Sequence, residues 1–304
     1  MSEKSIIFMG TPNFALECLK KLLQKKYKII GVITAPDRKK GRGRKIIYSP
    51  VKEYALSKNI NIYQPFNLKE KDFINSMKKI KPDLFVVVAF RMLPKILFNI
   101  PKEGSINLHA SILPNYRGAA PINWVIINGE KETGVTTFFI NDKIDEGKII
   151  DIKKINIDNE ETAGSLHEKL MDLGGNLLLK SINKIFKKKY ILKVQKINEN
   201  DKKAPKIGKE ICKVNFDLKS RKIISIIRGL SPYPGARIIQ NNKIIKLLNA
   251  KKIKKINGIK SKIFHSGDKL ILNNSFGESI EITEIQIEGK KKMLTKDFIK
   301  GNKL

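Results

Sequence analysis

Asn107 and His109 stand two residues apart at the end of an apolar run, and Asp145 follows within a turn-rich stretch, Asn141-Asp142-Lys143-Ile144-Asp145-Glu146-Gly147. In a strand, residues i and i+2 project from the same face, so this amide and this imidazole would share one crevice. A side-chain amide donates to a developing oxyanion, and an imidazole gives or takes a proton. A carboxylate beside His109 would fix its tautomer and support its protonated form. The three together are the minimum kit for moving a small acyl group. Each alone has a plainer reading. An Asn-x-His at a strand end is more often a capped turn or a satisfied histidine, and a loop carboxylate is usually solvated.

These residues need a frame. Apolar strand-like runs fall at 5–9, 29–34, 84–89, 105–109 and 135–140, with helical spacing over 14–25 (Phe14, Leu16, Leu19, Leu22, Leu23) and over 162–186. Alternating strand and helix predicts an α/β fold with a Rossmann-like, doubly wound, mostly parallel sheet. Such sheets bind ligands beyond the carboxyl ends of their strands. That places Asn107, His109 and the loop after 135–140 at one crevice. Gly10-Thr11-Pro12 follows the first strand but lacks G-x-G-x-x-G and any Walker pattern, so a dinucleotide site there is rejected.

The texture then changes. Residues 189–206 are polar and basic and read as a linker, and 207–304 carry short strand-like runs at 236–240, 243–248, 261–265, 269–272 and 279–287. Asn241-Asn242 and Asn273-Asn274 fall between them as turns. This spacing predicts a second, small β-barrel (OB-like) domain. The expected division is 1–188, 189–206 and 207–304.

The chain of 304 residues carries a formal net charge of +32, which favours a polyanionic partner. Lys, Ile and Asn abound everywhere, so compositional bias accounts for most of the magnitude, and local clusters are more informative. The densest is Pro36-Asp37-Arg38-Lys39-Lys40-Gly41-Arg42-Gly43-Arg44-Lys45, read as a flexible loop for nucleic-acid phosphates. No apolar run is long enough to span a bilayer, and the N-terminus has no signal-peptide pattern. A cytoplasmic protein without a membrane is expected. Cys18 and Cys212 lack metal-ligand spacing and read as free thiols.

The chain resembles the folate-dependent formyltransferases. The matching residues are Gly10-Thr11-Pro12-Asn13-Phe14, Pro36-Asp37-Arg38 with Gly41-Arg42-Gly43, and Ser49-Pro50-Val51-Lys52. They continue with Asn107-x-His109-x-Ser111-x-Leu113-Pro114, Tyr116-Arg117-Gly118-Ala119-Ala120-Pro121, Glu132-Thr133-Gly134-Val135-Thr136 and Asp145-x-Gly147. Ser231-Pro232-Tyr233-Pro234 resembles a landmark of the family's second domain. The likeness runs in order through nearly the whole chain. The block from Asn107 to Pro121 is the specific part.

The resemblance implies that the α-amino group of initiator methionyl-tRNA attacks the formyl carbon of 10-formyltetrahydrofolate, with no metal. Asn107 and His109 would stabilise the oxyanion, and Asp145 would orient His109 and assist proton removal. Ser111, Ile112, Leu113 and Pro114 would hold the folate, with Phe90, Met92 and Leu93 near its pterin. Arg38, Arg42, Arg44, Lys45 and Lys206 would contact tRNA. A monomer is expected. The chain departs from the family at Lys143, where a Gly is common, and at Arg91-Met92, where a glycine-containing version is common. Rival acceptors are glycinamide ribonucleotide, which leaves 206–304 without a use, and an amino sugar nucleotide, which leaves the basic loop without one. A non-catalytic RNA-binding protein is the rival of a different class.

Overall fold

The computed structural model describes residues 4–40, 45–240, 243–256 and 262–301. They form two compact units: 1–118, 134–155 and 168–203 in the first, and 119–133, 156–167 and 204–304 in the second.

The first unit is built on a seven-stranded sheet. Its order is Ile149–Asn156, Glu132–Phe139, Ser105–His109, Leu84–Val88, Ser5–Gly10, Lys28–Ile33 and Ile62–Tyr63. The central strands pair in parallel, and Leu84–Val88 is buried at every residue, as a strand covered on both faces must be. The pattern breaks at one end of the sheet. Glu132–Phe139 runs antiparallel to Ser105–His109, with Ile106 opposite Phe139 and His109 opposite Thr136. The core on one face gathers Met9, Ile33, Met77, Phe85, Leu93 and Leu97.

Helix Asn13–Gln24 buries Phe14, Cys18, Leu19 and Leu22. Burial pushes the Cys18 thiol up to about 12, so it packs as a small apolar group. Helix Pro50–Ser57 starts on Ser49, whose hydroxyl accepts from the Lys52 amide at 3.1 Å, with Pro50 pre-set at the first position.

The basic stretch is not a bare loop where it is described. Arg38–Lys40 pairs antiparallel with Lys45–Ile47, a two-stranded ribbon. Its base is tied by Asp37, which accepts from Gln64 and from Lys52; these hydrogen bonds hold the Asp37 carboxyl below its usual range. Arg42 and Arg44, expected on tRNA, lie outside the described residues, as does the expected turn at Asn241-Asn242.

The second unit carries an antiparallel sheet of order Ala236–Gln240, Lys243–Lys252, Ser279–Ile287, Lys269–Asn273 and Ile263–Ser266, with Met293–Leu294 also on Ser279–Ile287. Helix Ser220–Leu230 lays Ile223, Ile227 and Leu230 onto its core with Leu247, Ile280 and Ile285. Among the described residues no helix is long and apolar enough to cross a membrane.

Candidate active site

Asn107 and His109 close the strand Ser105–His109, beside Leu84–Val88 on one side and Glu132–Phe139 on the other. The His109 side chain is 8% exposed and that of Asp145 is 15% exposed. His109 Nε2 lies 2.8 Å from the Tyr116 carbonyl oxygen. A carbonyl only accepts, so Nε2 carries the hydrogen. In neutral imidazole the lone pair is then on Nδ1, which lies 3.8 Å from Asp145 Oδ2. Two acceptors therefore face each other across a gap too wide for a direct hydrogen bond. The gap is suited to a shared proton or the N–H of an amine. The tautomer is set by Tyr116 and not, as expected, by Asp145.

Asp145 is held from several sides. Its backbone is left-handed at φ 56, its Oδ2 accepts from the Gly118 amide at 2.9 Å, and its carbonyl accepts from Gln195 Nε2 at 2.8 Å. Gln195 reaches the Gly147 carbonyl at 2.8 Å as well. Gly147 is obligatory, because a Cβ there would lie 1.6 Å from the Phe139 carbonyl oxygen. Lys143 adopts no left-handed backbone; its amide donates to Asn141 Oδ1 at 3.0 Å, so the loop accepts a residue with a side chain there.

The loop arrives by a route the strand order did not suggest. Because Glu132–Phe139 runs antiparallel, its carboxyl end lies beside Ile106 and not at the crevice. The chain after it turns back, and Asp145 meets His109 about 10 Å along the strand, three positions at the rise per residue.

Asn107 is half-buried, and among the described residues its amide has no hydrogen-bond partner. It is an uncommitted donor next to a committed imidazole. In the following segment Ser111 and Leu113 are buried, while Ile112 and Pro114 are half-buried. Ser111 Oγ donates to the Asn115 carbonyl at 2.7 Å, and Thr136 Oγ1 accepts from the Leu113 amide at 3.2 Å and donates to the Ser111 carbonyl at 2.7 Å. So Ser111 and Leu113 shape the segment, and Ile112 and Pro114 face outward. Leu93 belongs to the core, Phe90 packs against it, and Met92 is 64% exposed. Arg91 donates to the carbonyls of Pro65 and Phe66, both at 2.8 Å.

Arg38 is exposed in the first unit and Lys206 in the second. The Lys45 backbone pairs with Lys40. Among the described residues no group of three His, Cys, Asp or Glu side chains is placed to hold a metal ion.

The residues that were not anticipated come from the expected linker. Lys193 pairs with Ile149, Gln195 holds the Asp145 carbonyl, Asp201 accepts from Arg117 at 3.4 Å, and the Lys202 carbonyl accepts from the Tyr116 amide. The segment is a strap over the loop that carries Asp145. Its contacts mix backbone pairing with side-chain bonds, and a lone Gln among Lys, Ile and Asn carries no periodic signal.

Residues 3–182 match the formyl transferase family, and 206–303 match the formyl transferase C-terminal domain. The methionyl-tRNA formyltransferase of Flavobacterium johnsoniae is 44% identical over 308 residues, covering 99% of this chain and 97% of the relative. That of Clostridioides difficile is 42% identical over 300 residues, covering 98% and 96%. Among solved structures, WlaRD, a sugar 3N-formyl transferase crystallised in the presence of dTDP and 5-N-formyl-THF, is similar with a TM-score of 0.70 and 25% identity, covering 96% of this chain and 100% of that one. The chain belongs to the formyl transferase family, and within it to the methionyl-tRNA formyltransferases.

Proposed function

We propose that this protein transfers the formyl group of 10-formyltetrahydrofolate to the α-amino group of initiator methionyl-tRNA, giving formylmethionyl-tRNA for translation initiation. The observation that carries the reading is the arrangement of Asn107, His109 and Asp145. A free amide donor lies two residues from an imidazole whose Nδ1 lone pair faces a carboxylate. Identity of 44% to a methionyl-tRNA formyltransferase, against 25% to a sugar formyl transferase, supports tRNA over a sugar nucleotide as acceptor.

The folate supplies the formyl group, and the residues present suit it. Met92, Ile112 and Pro114 are assigned apolar contact to its flat ring; Ser111 and Leu113 fix the segment that carries Ile112 and Pro114, and Phe90 and Leu93 anchor the segment that carries Met92. Asn107 donates to the formyl oxygen as negative charge builds there. Asp145 and His109 Nδ1 receive the proton that the amine sheds as it bonds to carbon. Once protonated, Nδ1–H becomes a donor toward the same oxygen and a source of the proton that the departing nitrogen needs. No step here asks for a metal.

Arg38, Arg42, Arg44, Lys45 and Lys206 are assigned to tRNA phosphates. Functionally the chain divides as 1–188 for chemistry, 189–206 as the strap and 207–304 for tRNA, with the second sheet curled as an OB-like barrel. We assign it as a cytoplasmic monomer. The test is direct: purified protein, 10-formyltetrahydrofolate and methionyl-tRNA are mixed, and formylmethionine is assayed. Absence of product sinks the reading.

A further inference from the structure

Between the Asp145 loop and the strap lies a cavity of about 620 Å³, with Arg117, Gly118, Ile144 and Glu146 on one side and Ile197 on the other. It adjoins the reacting centre. The Gly118 amide is 2.9 Å from Asp145 Oδ2, and Ile144 and Glu146 flank Asp145 in the chain. The cavity thus lies beside the loop that carries Asp145.

The walls select what enters. Arg117 is bonded to Glu146 at 2.6 Å and to Asp201 at 3.4 Å, so its charge is already answered. The other charged lining residues, Glu199 and Lys203, are opposite in sign. A phosphate or a carboxylate tail finds no uncommitted pair of cations here. The apolar side chains are the ones left open: Ile144 is 60% exposed and Ile197 is 40% exposed. They approach from the loop and from the strap. A neutral, unbranched, apolar group fits between them, and the volume is in the range that ligand pockets use, with room for part of the attached ribose.

We infer that this cavity receives the methionyl side chain of the charged tRNA, with Ile144 and Ile197 contacting the thioether. The inference rests on the reading of the reaction given above. It assigns part of the acceptor specificity to the strap.

The test compares one initiator tRNA charged with methionine or with alanine. Ile197→Asp should lower kcat/KM for the methionyl form about 10-fold or more, on the scale of lost apolar contacts in a pocket. The alanyl form, with only a methyl group to place, should stay within about a factor of two of the unmutated protein on that scale. Ile197→Val should behave as the unmutated protein does on both. Ile144→Ala, on the opposite wall, should repeat the methionine-selective loss if Ile197→Asp fails to fold. Equal losses on both tRNAs, or no loss on either, overturn the assignment. If the unmutated protein formylates neither tRNA, the reading of the reaction falls, and this inference with it.

Discussion

Gln195 donates one side-chain N–H to the main-chain carbonyl of Asp145 and reaches the Gly147 carbonyl as well, both at 2.8 Å. It thereby fixes the loop at the residue that faces His109 and two residues after it. Gln195→Leu keeps the bulk and removes the donors. The expected result is a fall in kcat of about 10-fold, since small misplacement of a reacting group is costly, with folate affinity nearly unchanged. In an Asp145→Asn background the same substitution should cost little more, because groups that act as a unit are non-additive. Additive losses would show that Gln195 acts on something other than Asp145.

Asn107 is the donor with no other duty among the described residues. Asn107→Ala should lower kcat by about 10²-fold, the scale for removing one oxyanion donor, while leaving KM for the folate close to its starting value. Single-turnover rates separate chemistry from product release. A variant within a factor of a few of the unmutated protein would remove Asn107 from the mechanism.

On the proposed function, Arg38 and Lys206 meet tRNA phosphates. Arg42→Ala should weaken tRNA-dependent turnover without changing folate binding. Arg38→Ala and Lys206→Ala should each flatten the plot of log affinity for tRNA against log salt by about one unit of slope. A salt profile that is flat from the start would make the net charge of +32 a matter of composition alone.

Glu278 accepts from the Ser220 amide at 2.7 Å at the start of helix Ser220–Leu230, and also from Lys252 and Asn274. The Ser220 amide above all, then these side chains, hold its carboxyl down to about 2. A carboxyl depressed on folding adds stability above its unfolded pKa of about 4.3, and this is lost as pH falls towards the folded value. Acid unfolding of the full chain should therefore be shallower across that window for Glu278→Gln than for the unmutated protein. Identical pH dependence would discard the assignment.

The strand Ser105–His109 was legible to the residue, because an apolar run ends there on two polar groups of one parity. Asp145 lies near His109 by a different geometry from the expected one: parallel-sheet logic puts its loop at the crevice, whereas an antiparallel ladder and a returning chain do so. Helices Lys71–Ile80 and Ser220–Leu230 went unread, although Phe73, Ile74 and Met77, and Ile223, Ile227 and Leu230, are buried at helical spacing. In Ser220–Leu230 the apolar positions are mostly β-branched isoleucines, which favour strands, and Lys71–Ile80 is a short helix with a single apolar stripe. The strap was invisible for another reason. Its role depends on where Gln195, Asp201 and the Lys202 carbonyl land, and pairing of that kind is decided by the fold.

The turn-back of the chain after Phe139 makes the loop that carries Asp145 a ruler. It starts level with Ile106, must end with Gly147 pressed on the Phe139 carbonyl, and must deliver Asp145 to the Gly118 amide on the way. Asn141, Asp142, Lys143 and Ile144 are exposed, so their identities are free to drift, as Lys143 illustrates. Their number is not. Deleting any one of them would leave the carboxylate short of His109, and inserting one would carry it past. In this stretch evolution can rewrite the letters but has to keep the count.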